Sequence, residues 1–188
     1  MTVDALRDEL RAGARDHEES LDHLFEVALA LGVADLLEVF GDLRDEDAAR
    51  AVVFALAQHA AGTPEVRAPL RAALADDRSF VVAEALDGLA HGETAIEPEA
   101  LDRLARHDSP FVRGAVLRYV AQMQQSASIG VLLAGLEDAS YIVRENAIDE
   151  LEGLGAGEAV PALRSMLSDA HPDVREAARG ALQTLADG

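Results

Sequence analysis

The sequence contains no cysteine, no lysine and no tryptophan. Without cysteine there can be no disulfide, no thiolate metal site and no thiol nucleophile. Without lysine, all 16 basic side chains are arginines, set against 35 acids for a net charge of -19. Phosphate binding draws on clustered cations, so a nucleic-acid partner is not expected, while a basic partner is permitted. Acid excess speaks to solubility before function, and it is also what a GC-rich genome or a high-salt cytoplasm would leave. Aromatic residues make up only 4% of the chain, and its apolar residues are mostly Ala, Leu and Val. That mix suits closely packed helices rather than sheets. No apolar run approaches the ~20 residues of a membrane span. Met1 to Glu9 lacks the layout of a secretory signal. The expectation is a cytoplasmic monomer with no membrane partner.

What the chain does have is a period. Stepping back 31 residues from Val174 gives Val143, Val112 and Val81. Similar text surrounds each: Ser79-Phe-Val-Val, Ser109-Pro-Phe-Val-Arg, Ser140-Tyr-Ile-Val-Arg and Pro172-Asp-Val-Arg. A fixed period of this size is the signature of a stacked-repeat protein. From Pro64 onward, first helices are predicted near 65–75, 97–106, 127–137 and 158–168, and second helices near 79–91, 110–124, 141–154 and 172–186. Pro110 and Pro172 stand where a helix begins, Ser109 is a candidate N-cap, and Pro69 predicts a late start or a bend. In the second helices, positions +4 and +8 from the anchor valine are Ala85 and Leu89, Val116 and Val120, Ala147 and Leu151, Ala178 and Leu182. This face predicts a core, as do Leu70 with Leu101, Leu132 with Leu163 and Leu136 with Leu167. The column before the anchor reads Phe80, Phe111, Ile142 and Asp173. It predicts apolar packing between repeats and a polar C-terminal cap.

Before Pro64 the register is lost, although helical spacing persists over 2–13, 20–31, 34–40 and 48–60. Residues 1–62 carry 14 acids and 5 arginines, so about half of the net charge sits in the first third of the chain. The organisation predicted is an irregular acidic helical segment, 1–62, followed by four regular repeats, 63–188, in one continuous solenoid.

The text Leu163 to Ala178 resembles the HEAT-like repeats, in the short form of about thirty residues named after phycobilisome lyases. Leu132 to Ala147 is similar to the same pattern, with Tyr141 in place of its proline. The resemblance implies an all-α, right-handed α-solenoid of about five to six antiparallel helix pairs. It also implies a hydrogen-bonding ladder between repeats, made by a turn Asp and an Arg six residues on. Asp138 with Arg144 and Asp169 with Arg175 have that spacing; Arg113 has His107 at the Asp position, and Asp76 is followed by Val82 where Arg belongs. The family hosts scaffolds, chaperones and a few enzymes, so fold does not settle function.

Candidate chemistry is sparse. His17 and His23 lie six apart, on different faces of a helix, which does not suit zinc. His59 and His91 fall near helix ends, where a cation suits the dipole. There is no Ser-His-Asp order, P-loop or EF-hand loop, so no catalytic residue, metal or cofactor is predicted. The face of the second helices opposite the core, which lines the concave surface in such solenoids, selects Ala83, Asp87 and Ala90; Gly114, Arg118, Ala121 and Gln125; Glu145, Asp149 and Glu152; and Glu176, Gly180 and Gln183. Small residues flanked by charges predict a shallow floor for a protein or peptide, a basic one being permitted by charge. The function read is a non-enzymatic protein-binding scaffold. Alternatives are a phycobilin-lyase-like or chaperone-like modification factor, or an acidic inhibitor masking a basic partner.

Overall fold

The computed structural model of the protein describes residues 2–13, 19–59 and 63–187. These residues form twelve α-helices and, among them, no strand. The chain divides into two compact units, residues 1–96 and 97–188, so the division falls about one repeat after the change of register expected near residue 62.

The first unit holds α1 (Val3–Ala12), α2 (Glu19–Leu29), α3 (Val33–Phe40), α4 (Glu46–Gln58), α5 (Arg67–Ala73) and α6 (Ser79–His91). Its second helices, α2, α4 and α6, pack side by side, and α3 and α5 flank α4 and α6. Local sequence explains the elements. Asp45 caps α4 by accepting the Ala48 N–H at 2.9 Å, and Glu46 and Asp47 follow in the positive first turn. Val52, Val53 and Leu56 are fully buried on α4, as the helical spacing requires. Helix α5 is preceded by a 3-10 turn, Pro64–Val66, so it starts late. Pro69 then falls in its first turn, where no backbone N–H has an intrahelical partner to lose. Gly88 of α6 faces α4, and a Cβ there would lie 2.6 Å from the Cβ of Ala57. The two helices therefore meet at glycine distance.

The second unit holds α7 (Pro98–Leu104), α8 (Pro110–Gln124), α9 (Ile129–Gly135), α10 (Tyr141–Gly153), α11 (Val160–Met166) and α12 (Pro172–Asp187). Each odd-numbered helix packs on the even-numbered helix that follows it, and α8, α10 and α12 form the stacked layer. Six helix pairs result, within the five to six expected. Val81, Val112, Val143 and Val174, the periodic anchors, are all buried to 2% exposure or less. Of the +4 and +8 set only Leu182 is left half-buried.

Two packing expectations need correction. Phe111 is 40% exposed, not sealed between repeats; only Phe80 and Ile142 of that column are half-buried. Leu167 is 41% exposed whereas its counterpart Leu136 is at 3%. Leu101 is half-buried, unlike Leu70. Asp173 is exposed.

Candidate functional site

The arginines that begin the second helices of the second unit do structural work. Arg113 donates to both carboxylate oxygens of Asp138 at 2.9 and 2.8 Å, and its Nη1 donates to the His107 and Asp108 carbonyls. Arg144 repeats this one repeat later, with Asp169 at 2.8 and 2.8 Å and with the Asp138 and Ala139 carbonyls. Arg175 keeps only the carbonyl half, on Asp169 and Ala170. The six-residue spacing is therefore met through the Asp backbone carbonyl, while the carboxylate is gripped by the arginine 25 residues before it. Each guanidinium ties its own turn to the next repeat. The Asp side chain also accepts the N–H two residues on, from Ser140 for Asp138 and from His171 for Asp169. Bidentate guanidinium bonds hold both carboxyls below the usual carboxylate range, with these N–H bonds adding to the effect.

His107 stands at the Asp position and keeps half of that role. Its Nδ1 accepts the Ser109 N–H at 3.0 Å. Ser109 occupies the N-cap position, yet its side chain makes no capping bond; the residue two before it organises the turn. In the first unit the missing Arg at Val82 is replaced from an unexpected place. Arg78 grips Asp76 through Nε and Nη2 at 2.8 and 2.7 Å, and its Nη1 donates to the carbonyls of Leu43 and Asp45, one repeat earlier. The guanidinium again joins a turn to the following Asp, but here it is tethered from the Asp's own repeat. That rung was legible only as two residues, Asp76 and Arg78, too close in sequence to match the pattern.

The predicted floor residues are not a floor. Ala83 and Ala121 are 8% and 3% exposed, and Gly114 is buried. Gly114 is covered by Asn146 of α10, whose side chain would stand 3.3 Å from a Cβ placed there. Asn146 accepts from Arg118 at 2.6 Å and donates to the Ile142 carbonyl at 2.7 Å. Gly114 thus lets α8 and α10 approach instead of opening a groove, and the sequence signal for Asn146 was masked by its charged neighbours. Asp87 and Arg118 are half-buried and Gln125 is exposed. Among the described residues no ion pair joins Arg118 to Asp149, and no cation acts on the Asp149 carboxyl.

What remains on the outward face of α10 is a line of carboxylates. Glu145, Asp149 and Glu152 follow at helical spacing; Asp149 is exposed and the other two half-buried. Desolvation by the surrounding protein, with Glu145 and Glu152 as like charges, pushes the Asp149 carboxyl up from its ordinary value. Glu152 accepts from Thr184 of α12 at 2.7 Å, and Glu176 of α12 is exposed nearby in sequence register.

No group of His, Asp and Glu able to hold a metal occurs among the described residues. His17 lies outside them; His23 contacts Glu9 at 2.7 Å across α1 and α2. His59 and His91 are exposed at the ends of α4 and α6. No helix among the described residues is long and apolar enough to cross a membrane.

Comparison with known proteins agrees with this architecture. Residues 129–187 match the family described as HEAT repeats. Nothing among curated proteins matches the sequence. The fold is similar to that of an engineered protein of known crystal structure, at 20% identity over 100% of this chain and 98% of that one, with a TM-score of 0.53. It is similar to a designed armadillo repeat protein in complex with the peptide (KR)4, at 20% identity, 97% and 91% coverage and a TM-score of 0.50. A third similar structure is the complex of CpcE and CpcF of phycocyanin lyase from Nostoc sp. PCC7120. There the identity is 17%, this chain is covered over 87% and spans 65% of that one, and the TM-score is 0.52. At such identities the likeness concerns the fold. The match to the HEAT repeats covers residues 129–187, and the fold of the chain is that of an all-α helical-repeat protein.

Proposed function

We propose that the protein is a non-enzymatic binding scaffold whose α10–α12 face takes a basic segment of another protein. The observation that carries this reading is the carboxylate line Glu145, Asp149 and Glu152. No cation pairs with Asp149 among the described residues, and desolvation with its like-charged neighbours Glu145 and Glu152 raises its carboxyl from the ordinary value. A cationic side chain arriving from a partner would relieve that repulsion and find charge complementarity. A designed armadillo relative in fold is in complex with the peptide (KR)4, which supports the class of ligand. The reading replaces the predicted floor of Ala83, Gly114 and Ala121 with this charged strip, and keeps Glu145, Asp149 and Glu152 from the predicted set.

The test is fluorescence anisotropy with a labelled Lys-Arg repeat peptide. Binding is expected to weaken steeply between low and moderate salt, since exposed charges are screened within ~10 Å at 0.1 M. A triple variant, Glu145→Gln with Asp149→Asn and Glu152→Gln, is expected to lose most of it. Equal binding by the triple variant and the parent would sink the assignment of this face and leave the acidic α1–α4 segment as the cationic-partner site.

A further inference from the structure

One cavity of the first unit has the opposite charge logic. It measures about 510 Å³ and is lined by Arg67, Arg71, His91 and the loop Gly92–Ala95. Arg67 and Arg71 are one turn apart on α5, so their side chains lie on the same face. The chain has 35 acids for 16 arginines, so an arginine here has acids to choose from. About half of the described arginines pair with a carboxylate, Arg50, Arg78, Arg113 and Arg144 among them. Arg67 and Arg71, side by side at one cavity, do not among the described residues. Arg67 Nε is buried with no hydrogen-bond partner, which is costly for a charged donor. Arg71 is held in place by donating Nη2 to the Ala95 carbonyl at 3.1 Å, which leaves its other donors unused by that bond.

The opposite wall is fixed before any ligand arrives. Thr94 N–H donates to the Leu89 carbonyl at 2.8 Å, and Thr94 Oγ1 to the Gly92 carbonyl at 3.1 Å. Glu93 takes a left-handed backbone, φ 47°, at the turn, with its side chain exposed. The carbonyl end of α6 disfavours an anion by a fraction of a charge, and Glu93 by at most one. Two guanidiniums exceed that. A guanidinium fork fits an oxyanion through two parallel N–H bonds.

We propose that this cavity binds an oxyanion-bearing small molecule, with Arg67 and Arg71 as the binding groups and Arg71 positioned by the Ala95 carbonyl. Phosphate monoesters and carboxylates share that chemistry. The two sources are separated by the probe used.

The experiment titrates inorganic phosphate, and separately succinate, into the full chain by calorimetry and by 31P line broadening, at ionic strength fixed with sodium chloride. Saturable binding with a Kd on the order of millimolar is expected for at least one of the two. Phosphate alone would assign a phosphoryl ligand, and succinate alone a carboxylate. Arg67→Gln and Arg71→Gln are each expected to weaken it about tenfold, as befits loss of a charge-assisted bond, while Arg164→Gln changes nothing. No saturable binding of either anion to the unaltered chain would overturn the site. Binding that survives both substitutions unchanged would overturn it too. The basic-peptide test on α10 is independent, so either reading can fail alone.

Discussion

Replacing Asp169 by Ala removes one rung of the inter-repeat ladder and should be among the costliest single polar changes in the chain. The carboxylate receives three bonds: two from Arg144 at 2.8 Å each and one from the His171 N–H at 2.8 Å. The side chains of Arg144 and Asp169 are only 14% and 9% exposed, so water replaces them poorly. Removing one member of a buried pair costs ~3–5 kcal/mol, chiefly because the other charge is left behind. Arg144 would keep its bonds to the Asp138 and Ala139 carbonyls, which places the loss near ~3 kcal/mol. Asp138→Ala should cost less, ~2 kcal/mol, because Arg113 and Asp138 are each 18% exposed. The control is Glu176→Ala. Its partner Arg179 is 61% exposed and Glu176 itself 78%, so ~0–0.5 kcal/mol is expected. Urea denaturation followed by circular dichroism measures all three, and an Arg144/Asp169 double-mutant cycle isolates the pair. Asp169→Asn keeps an acceptor for His171 and should fall between the parent and the alanine variant. A loss for Asp169→Ala within ~0.5 kcal/mol of the Glu176 control would refute the view that these rungs hold the repeats together.

Three further outcomes follow from the same geometry. Asp76, Asp138 and Asp169 have carboxyls depressed below the ordinary 3.8 by their arginine bonds, so the stability they contribute is complete above that value and is lost as pH falls through their folded values. Denaturation from pH 6 to pH 2 should show this acid limb, and it should be shallower in Asp169→Asn. Asp149 has the opposite sign: its carboxyl is raised, so its ionised form costs stability at neutral pH and the cost vanishes in acid. Asp149→Asn is expected to stabilise at pH 7 by ~0.2–0.5 kcal/mol per like-charge neighbour relieved, and to change nothing near pH 3. Gly88→Ala should destabilise by ~1–3 kcal/mol despite Ala's better helix propensity, because its Cβ would meet that of Ala57 at 2.6 Å; a rise in the urea midpoint would show that α4 and α6 can move apart cheaply.

The sequence by itself determined the helices and their pairing. A 31-residue period with apolar positions at helical spacing can be satisfied only by helix pairs that bury their faces against their neighbours. The anchors Val81, Val112, Val143 and Val174 are buried for that reason, and the second helices fall where the period put them. Proline at a helix start is a local effect, so Pro110 and Pro172 were readable too. The tertiary structure decided which carboxylate each arginine holds, because side chains 25 residues apart become neighbours only once repeats stack. It placed Arg78 on the carbonyls of Leu43 and Asp45, a contact no spacing rule contains. It also reversed the reading of the small residues. Composition cannot distinguish a small residue that floors a groove from one buried by packing, and packing buries Ala83, Gly114 and Ala121. The cavity at Arg67, Arg71 and His91 was likewise invisible, since it is made by the end of one helix meeting the face of another.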